Sequence, residues 1–350
     1  MEEDRFRRKI GWFRLCCCIM VIWIHAGNAE LFLGKLKEGH PLMMLEYKII
    51  PAVIRISIPC FLMMSGYQFF RGFTMGELPG KWKRRIKTLL IPYVVWNLLY
   101  YFGYLLANQV EVLKDIVNKP DIRLSLEQIV EAAVFYRYNP VFWFMYQLIL
   151  LVASAPILYL FLKRVWSGCL FLAAVIAVIH GEYTLPLINQ DALFYYSVAG
   201  FLALHGQKAV EGPWTWQRAT LGAALLALGM LAGAPYYTRS FPPAIVAYYT
   251  LAVFGLWLMV DERHLGKKVP WSEYTFFIYG FHFIPVRFLN KVLAYWLRGS
   301  ELAAGILYLG MPFFAAAVCC LAANILKFVP PVWKLLNGGR KAGSSSKAKG

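Results

Sequence analysis

Arg14 and His25 stand eleven residues apart in the stretch RLCCCIMVIWIHAG, whose remaining side chains are almost all apolar. On an α-helix eleven residues make three turns plus about 20°, so the guanidinium and the imidazole share a face, about 16 Å apart along the axis. An imidazole can take a proton near neutral pH, because burial and neighbouring charge tune its affinity there. A guanidinium grips anions through a planar fork of donors. Arg55, Glu273, His282 and Arg287 also lie in apolar surroundings. An ionised group there costs about 2.5–3.5 kcal/mol on insertion scales, so each needs a partner or a use. Arg14, Glu273 and Arg287 stand near the ends of apolar blocks, where long side chains can snorkel to water. Arg55 stands four residues before Pro59 in PAVIRISIPCFLMMSGYQFF, where proline opens a helix and frees backbone carbonyls. Two classes of chemistry fit a polar cavity with these groups. In a transporter, His relays protons and Arg binds an anion. In a transferase, His is a general base and Arg holds an anionic donor.

The elements that position these residues follow from hydropathy. Of 350 residues 59% are hydrophobic and 16% charged, against about 25% charged in soluble domains. The apolar residues gather into blocks at 12–28, 49–70, 88–106, 141–162, 167–181, 192–206, 219–235, 244–260, 272–290 and 303–326. Most have the length needed to cross about 30 Å of hydrocarbon. The expected class is all-α, a polytopic membrane protein with about ten transmembrane helices. The short fifth and sixth blocks read either as spans or as a re-entrant pair. The charged MEEDRFRRK leads into the first block with no small-residue cleavage site, which reads as a retained signal-anchor.

With the N-terminus in the cytoplasm, the inner segments carry two thirds of the 36 Lys and Arg residues, so both termini are expected inside. The net charge of +17 then reflects topology and contact with anionic membrane lipids. No basic module with stacking aromatics points to nucleic acid. The seven cysteines lie in or beside apolar blocks and read as packing residues; adjacent ones point apart on a helix, so no metal site is expected. Residues 1–330 are expected to form the membrane domain and 331–350 a basic cytoplasmic tail, with GGRKAGSSSKAKG disordered. The largest outer segment, 107–140, contains Ser125 followed by Gln128, a capping-box spacing before the short amphipathic helix EQIVEAAVF.

The motifs together resemble the acyltransferase 3 family of integral membrane acyltransferases. They are RLCCCIMVIWIH, RISIPCFLMMSGY, KRRIKTLLIPYVVWNLLYY, NPVFWFMYQLILLVASAPIL, YSVAGFLALHG, SEYTFFIYGFHF and PPVWKLLNGGR, in order along nearly the whole chain. Many members have Asp where this chain has Gly11. The resemblance implies a protein of the bacterial cytoplasmic membrane that moves an acyl group, acetyl or else succinyl, from a cytoplasmic acyl-CoA-type donor. The acceptor would be a hydroxyl or amine of an envelope glycan, with O-acylation favoured. It implies His25 as the catalytic residue and Arg14 on the donor side, with Arg55 in place of an arginine often found before the second-helix proline. Acyl-CoA would be a substrate, with no permanently bound cofactor and no metal.

On that reading Lys83, Arg84 and Arg85 join Arg14 as cations for the donor phosphates, or serve only as positive-inside anchors. Ser65 and Tyr67 can donate to a developing oxyanion, or pack helices closely. Trp143 and His282 would line the acceptor side, His282 alternatively capping its helix without chemistry. Acceptor choice would rest with segments 26–48 and 107–140. Export or flipping of a glycan or lipid-linked sugar is the alternative for the same cavity.

Overall fold

Apolar runs of this length form helices because lipid offers the backbone no other partner. The computed structural model describes residues 1–339 other than 38, 118, 240, 268 and 270, and the side chains of 112, 115, 116 and 234–239 are not considered. The described residues form helices and connecting turns, with no strand among them.

The first block lies in α1 (Glu3–Ile24), followed by the short α2 (Ala29–Leu33). After α3 (Pro41–Met44), the second block divides into α4 (Ile50–Ile54) and α5 (Ser57–Phe70). The basic α6 (Leu78–Arg85) leads to α7 (Ile91–Ala107). The 107–140 segment holds α8 (Glu111–Val117) and α9 (Leu126–Phe135). Next come α10 (Trp143–Ala153) and α11 (Ala155–Leu162), bent by 63°, then α12 (Val165–His180) and α13 (Gln190–His205). The short α14 (Gln207–Glu211) precedes α15 (Trp216–Arg239) and α16 (Pro242–Met259). The ninth block is interrupted at His282, between α17 (Thr275–Phe281) and α18 (Phe283–Trp296). The last elements are α19 (Glu301–Leu326) and α20 (Pro330–Leu336).

Every apolar block thus falls on a helix or a broken helix. Among the described residues, five helices are long and apolar enough to cross a membrane, or six if the bent α10–α11 pair counts as one span. The difference from ten lies in the 16-residue helices α12 and α13, in α15, which is not among those counted, and in the interruption of the ninth block. The domain boundary at 330 also shifts. Helix α20 is packed rather than part of a loose tail: Trp333 is buried, the Trp96 indole donates to the Leu336 carbonyl at 3.0 Å, and Asn337 donates to the Glu273 carbonyl at 2.6 Å. The remainder of the expected tail, 340–350, lies outside the described residues.

The chain divides into two compact units. The first comprises Met1–Cys17, Ile56–Lys83 and Gln147–Pro270. Within it α5 meets α13 at Gly66, where a Cβ would collide with the Tyr196 carbonyl, so the Ser65–Gly66 pair works here as a close-packing element. The unit also buries an ion pair. Lys9 Nζ donates to the Val260 carbonyl at 2.7 Å, lies 3.5 Å from Glu262, and sits 4.7 Å from the centre of the Trp257 ring. Glu262 also accepts from the Trp214 amide at 2.9 Å.

The second unit comprises Cys18–Arg55, Arg84–Tyr146 and Trp271–Gly350. Phe32, Leu42, Ala294 and Ala304 form one core there, and Tyr101, Ala132 and Tyr138 another beneath α9. Half of the expected capping box forms: Ser125 Oγ accepts from the Gln128 amide at 3.2 Å. The Gln128 side chain instead accepts from the Arg123 amide and donates to the Asp121 carbonyl, closing the preceding loop.

The Lys9–Glu262 side chains are only 3% and 2% exposed, so removing one partner strands a buried charge. Glu262→Ala should destabilise the protein by about 3–5 kcal/mol. Combining Lys9→Met with Glu262→Leu should restore much of the thermal midpoint in detergent, because an apolar pair removes both charges together.

Candidate active site

Helix α1 ends at Ile24, and His25 follows in a turn whose amide bonds to the Ile22 carbonyl at 3.1 Å. The shared face inferred for Arg14 and His25 therefore holds up to the last helical residue, and the imidazole sits just past the helix end. The turn is clamped from several directions. Asn290 Nδ2 on α18 donates to the Ala26 carbonyl at 3.1 Å. One Glu46 carboxylate oxygen accepts from the Asn28 and Ala29 amides at 2.9 and 3.0 Å, satisfying backbone groups at the start of α2. Asn28, Glu46 and Asn290 are all buried.

The half-buried His25 ring faces two neighbours. The His282 ring lies 5.4 Å away and tilted, and the Phe283 ring stands edge-on at 5.5 Å. His282 is fully buried. Its Nδ1 lies 2.8 Å from the Tyr279 carbonyl and 3.1 Å from the Ile278 carbonyl. Both are acceptors only, so the proton belongs on Nδ1 and the neutral ring keeps its lone pair on Nε2. That Nε2 is buried with no hydrogen-bond partner. The His25 ring makes no hydrogen bond to a described residue. One imidazole is held in a fixed tautomer while its neighbour is left open to a substrate.

The other residues singled out from sequence fall differently. Trp143 reaches the pair through an aromatic chain: it stands edge-on to Phe144, whose ring lies 6.1 Å from Tyr279, itself 6.2 Å from His282. Arg287 lies one turn beyond Phe283, its guanidinium carbon 5.8 Å from that ring. Arg55 caps the end of α4, where the chain opens before Pro59, and its side chain is exposed. Glu273 pairs with Lys327 at 2.9 Å.

In the first unit, Arg14 Nη2 donates to Gln68 at 2.7 Å. Ser65 is half-buried on α5. Tyr67 donates to Glu211 at 2.6 Å, and Arg71 grips the same carboxylate with two bonds of 2.7 Å while also meeting Glu3. Burial alone would raise the Glu211 pKa, but the bonds from Arg71, Tyr67 and Gln207 outweigh it and hold the carboxyl below its ordinary range. Tyr67 is therefore engaged in a structural lock. On α6, Lys83 and Arg84 are exposed and Arg85 half-buried.

Asn28, Glu46 and Asn290 escape a reading of the sequence. Their signal is a polar residue inside or beside an apolar run, and their role emerges only when residues up to 264 positions apart meet. Among the described residues no group of three or more His, Cys, Asp or Glu is placed to hold a metal ion.

Comparison with known proteins gives three findings. A family model described as an acyltransferase domain matches residues 7–326. The chain is 26% identical to the succinoglycan biosynthesis protein ExoH of Rhizobium meliloti (strain 1021), over 95% of this chain and 92% of that protein. No solved structure matches.

Two substitutions test these roles. Asn290→Ala leaves the Ala26 carbonyl and the Asn28 amide group short of a partner. It should lower stability by about 1–3 kcal/mol and speed amide exchange at residues 26–29. Tyr67→Phe removes a hydrogen bond to a charged group and should cost about 1.5–3 kcal/mol in thermal or denaturant unfolding.

Proposed function

As the chain belongs to the acyltransferase 3 family, we propose that it transfers an acyl group, acetyl or succinyl, from an acyl-CoA-type donor on the cytoplasmic side to a sugar hydroxyl of a cell-envelope glycan. On this reading it is a multi-pass protein of the bacterial cytoplasmic membrane with both termini inside. The similarity to a protein of succinoglycan biosynthesis supports a glycan acceptor. A hydroxyl suits a general base, because it must lose its proton as it attacks the carbonyl.

The observation that carries the reading is the pair of unlike imidazoles. His25 offers a ring nitrogen to the acceptor hydroxyl. As the hydroxyl oxygen bonds to the thioester carbonyl carbon, its proton passes to His25. The tetrahedral intermediate then collapses, the carbon–sulfur bond breaks, and the proton passes from His25 to the departing thiolate. While it is an imidazolium, His25 carries an N–H on both nitrogens. The buried Nε2 of His282, without a partner in a ring whose centre lies 5.4 Å from that of His25, is proposed as the acceptor for one of them. His282 is thus assigned the task of stabilising protonated His25, in place of the carboxylate that orients the base in many hydrolases. This arrangement favours base catalysis over an acyl-imidazole carried on His25.

Arg14 is proposed to hold the anionic part of the donor, with Arg55, Lys83, Arg84 and Arg85 as further candidates for its phosphates. An anion that engages Arg14 would compete with, or join, its bond to Gln68.

The test is transfer of labelled acetyl or succinyl from its CoA ester into membrane glycans by the purified protein in lipid. His25→Ala should lower kcat by about 10²–10⁴-fold with the thermal midpoint preserved. His282→Ala should lower it less and move the pH profile, because it acts through His25. Near-normal turnover by a folded His25→Ala variant would end this reading. Loss of surface glycan with unchanged acylation in cells lacking the protein would favour export.

A further inference from the structure

The second unit contains a cavity of about 290 Å³ that the mechanism above does not use. It lies beside the imidazole pair, because Phe283 both lines it and touches the His25 ring edge-on. Its charged wall consists of Lys119, Arg287 and Lys291, and among the described residues no carboxylate lines it. Tyr104 and Tyr138 complete an aromatic wall with Phe283. The volume is near the lower end of the ~300–1,000 Å³ range of small-molecule sites.

Arg287 and Lys291 are four residues apart on α18 and share a helix face. Like charges at that spacing repel and weaken a helix. Arg287 makes no hydrogen bond or ion pair with a described residue, and neither does the Lys119 side chain. Three cations around one cavity gain from an anion, and Arg287 presents a fork matched to a carboxylate. The aromatic wall adds flat apolar surface of the kind that packs against the face of a sugar ring.

Resting on the acyl-transfer reading, we propose that this cavity is the acceptor subsite and that it takes a carboxylate-bearing sugar, Arg287 and Lys291 binding the acid group while the aromatic wall holds the ring. By helical rise, Arg287 lies about 6 Å and Lys291 about 12 Å along the axis from Phe283. The acid group therefore sits on the sugar whose hydroxyl reacts, or on the next one. The cavity selects the acceptor by charge, next to the base that deprotonates it.

The experiment uses the full chain in discs of zwitterionic lipid, labelled acetyl-CoA or succinyl-CoA, and two matched oligosaccharides, one neutral and one containing a uronate. The wild type should favour the uronate acceptor by tenfold or more in kcat/KM, and the preference should shrink as salt rises. Arg287→Gln with Lys291→Gln should bring the ratio near one through the KM for the acidic acceptor, and Arg287→Lys should retain part of it. Free glucuronate should inhibit the wild type at concentrations where glucose does not, which tests the subsite even where the double variant fails to fold.

Equal use of the two acceptors by the wild type, with transfer intact, overturns the subsite and leaves the acyltransferase reading standing. No transfer to either acceptor and no CoA release overturns the reading beneath it. A defect confined to succinyl-CoA, whichever acceptor is present, assigns the cations to the acyl group and overturns the proposal. So does a preference that vanishes when anionic lipid is added at constant salt, which assigns them to lipid headgroups.

Discussion

A backbone amide inside hydrocarbon has no water to turn to, and this constraint organises the molecule. Continuous helices meet it automatically, so each interruption needs a local solution. Three interruptions follow one rule. Pro59, Pro156 and Pro285 each stand within a turn after a break, at Arg55–Ile56, Ser154 and His282. Proline lacks the donor for the carbonyl four residues earlier and crowds it. The rule is not sufficient, since Pro312 lies inside the unbroken α19. At His282 the imidazole Nδ1 engages the carbonyls of Tyr279 and Ile278, the latter also accepting the His282 amide at 2.9 Å. The side chain at the break is thereby fixed in one tautomer beside His25. At the end of α1 the corresponding work is shared by Glu46 and Asn290, which secure the turn that holds His25.

Polar groups are used differently in the two units. In the first several charged groups are matched to one another, Lys9 with Glu262, Arg71 with Glu211 and Glu3, Tyr67 with Glu211 and Arg14 with Gln68, although Gln68 Nε2 and Glu262 Oε2 remain without a hydrogen bond. Such networks fix side chains and leave little for a ligand apart from what can displace Gln68. In the second unit several costly groups are unmatched among the described residues. They include the half-buried ring of His25 and the buried Nε2 of His282, whereas Arg55 and Arg287 are exposed. Leaving a buried polar atom unpaired costs about 1–3 kcal/mol, so its persistence points to a partner that arrives during function.

Much of this was legible in the chain. Hydropathy located every block that became a helix, because the lipid constraint acts locally and needs no knowledge of neighbours. The Arg14–His25 spacing placed the imidazole at the far end of the first helix, one residue beyond where it stops. Pro59 marked the opening at Arg55. The reading failed where the outcome depends on distant partners. Tyr67 looked free to donate until Glu211 met it from 144 positions away. The Pro330–Leu336 stretch looked like the start of a tail until Trp333 found a buried site. Glu46 and Asn290 carried only the weak signal of a polar letter near an apolar run.

His25 and His282 show most directly why residue type alone does not assign a role. The two side chains are chemically identical and their rings lie 5.4 Å apart. One is half-buried and makes no hydrogen bond to a described residue; the other is fully buried, with one nitrogen committed to two carbonyls. A proton that arrives at the half-buried ring stays there only if its charge is stabilised. The buried ring can help, because its proton is held on the side that faces its own helix. Were the tautomer reversed, two N–H groups would oppose each other when His25 becomes charged, and the pair would resist protonation. The carbonyls of Ile278 and Tyr279, the first also accepting the His282 amide, thus set the tautomer of the buried imidazole and with it the difference between the two rings.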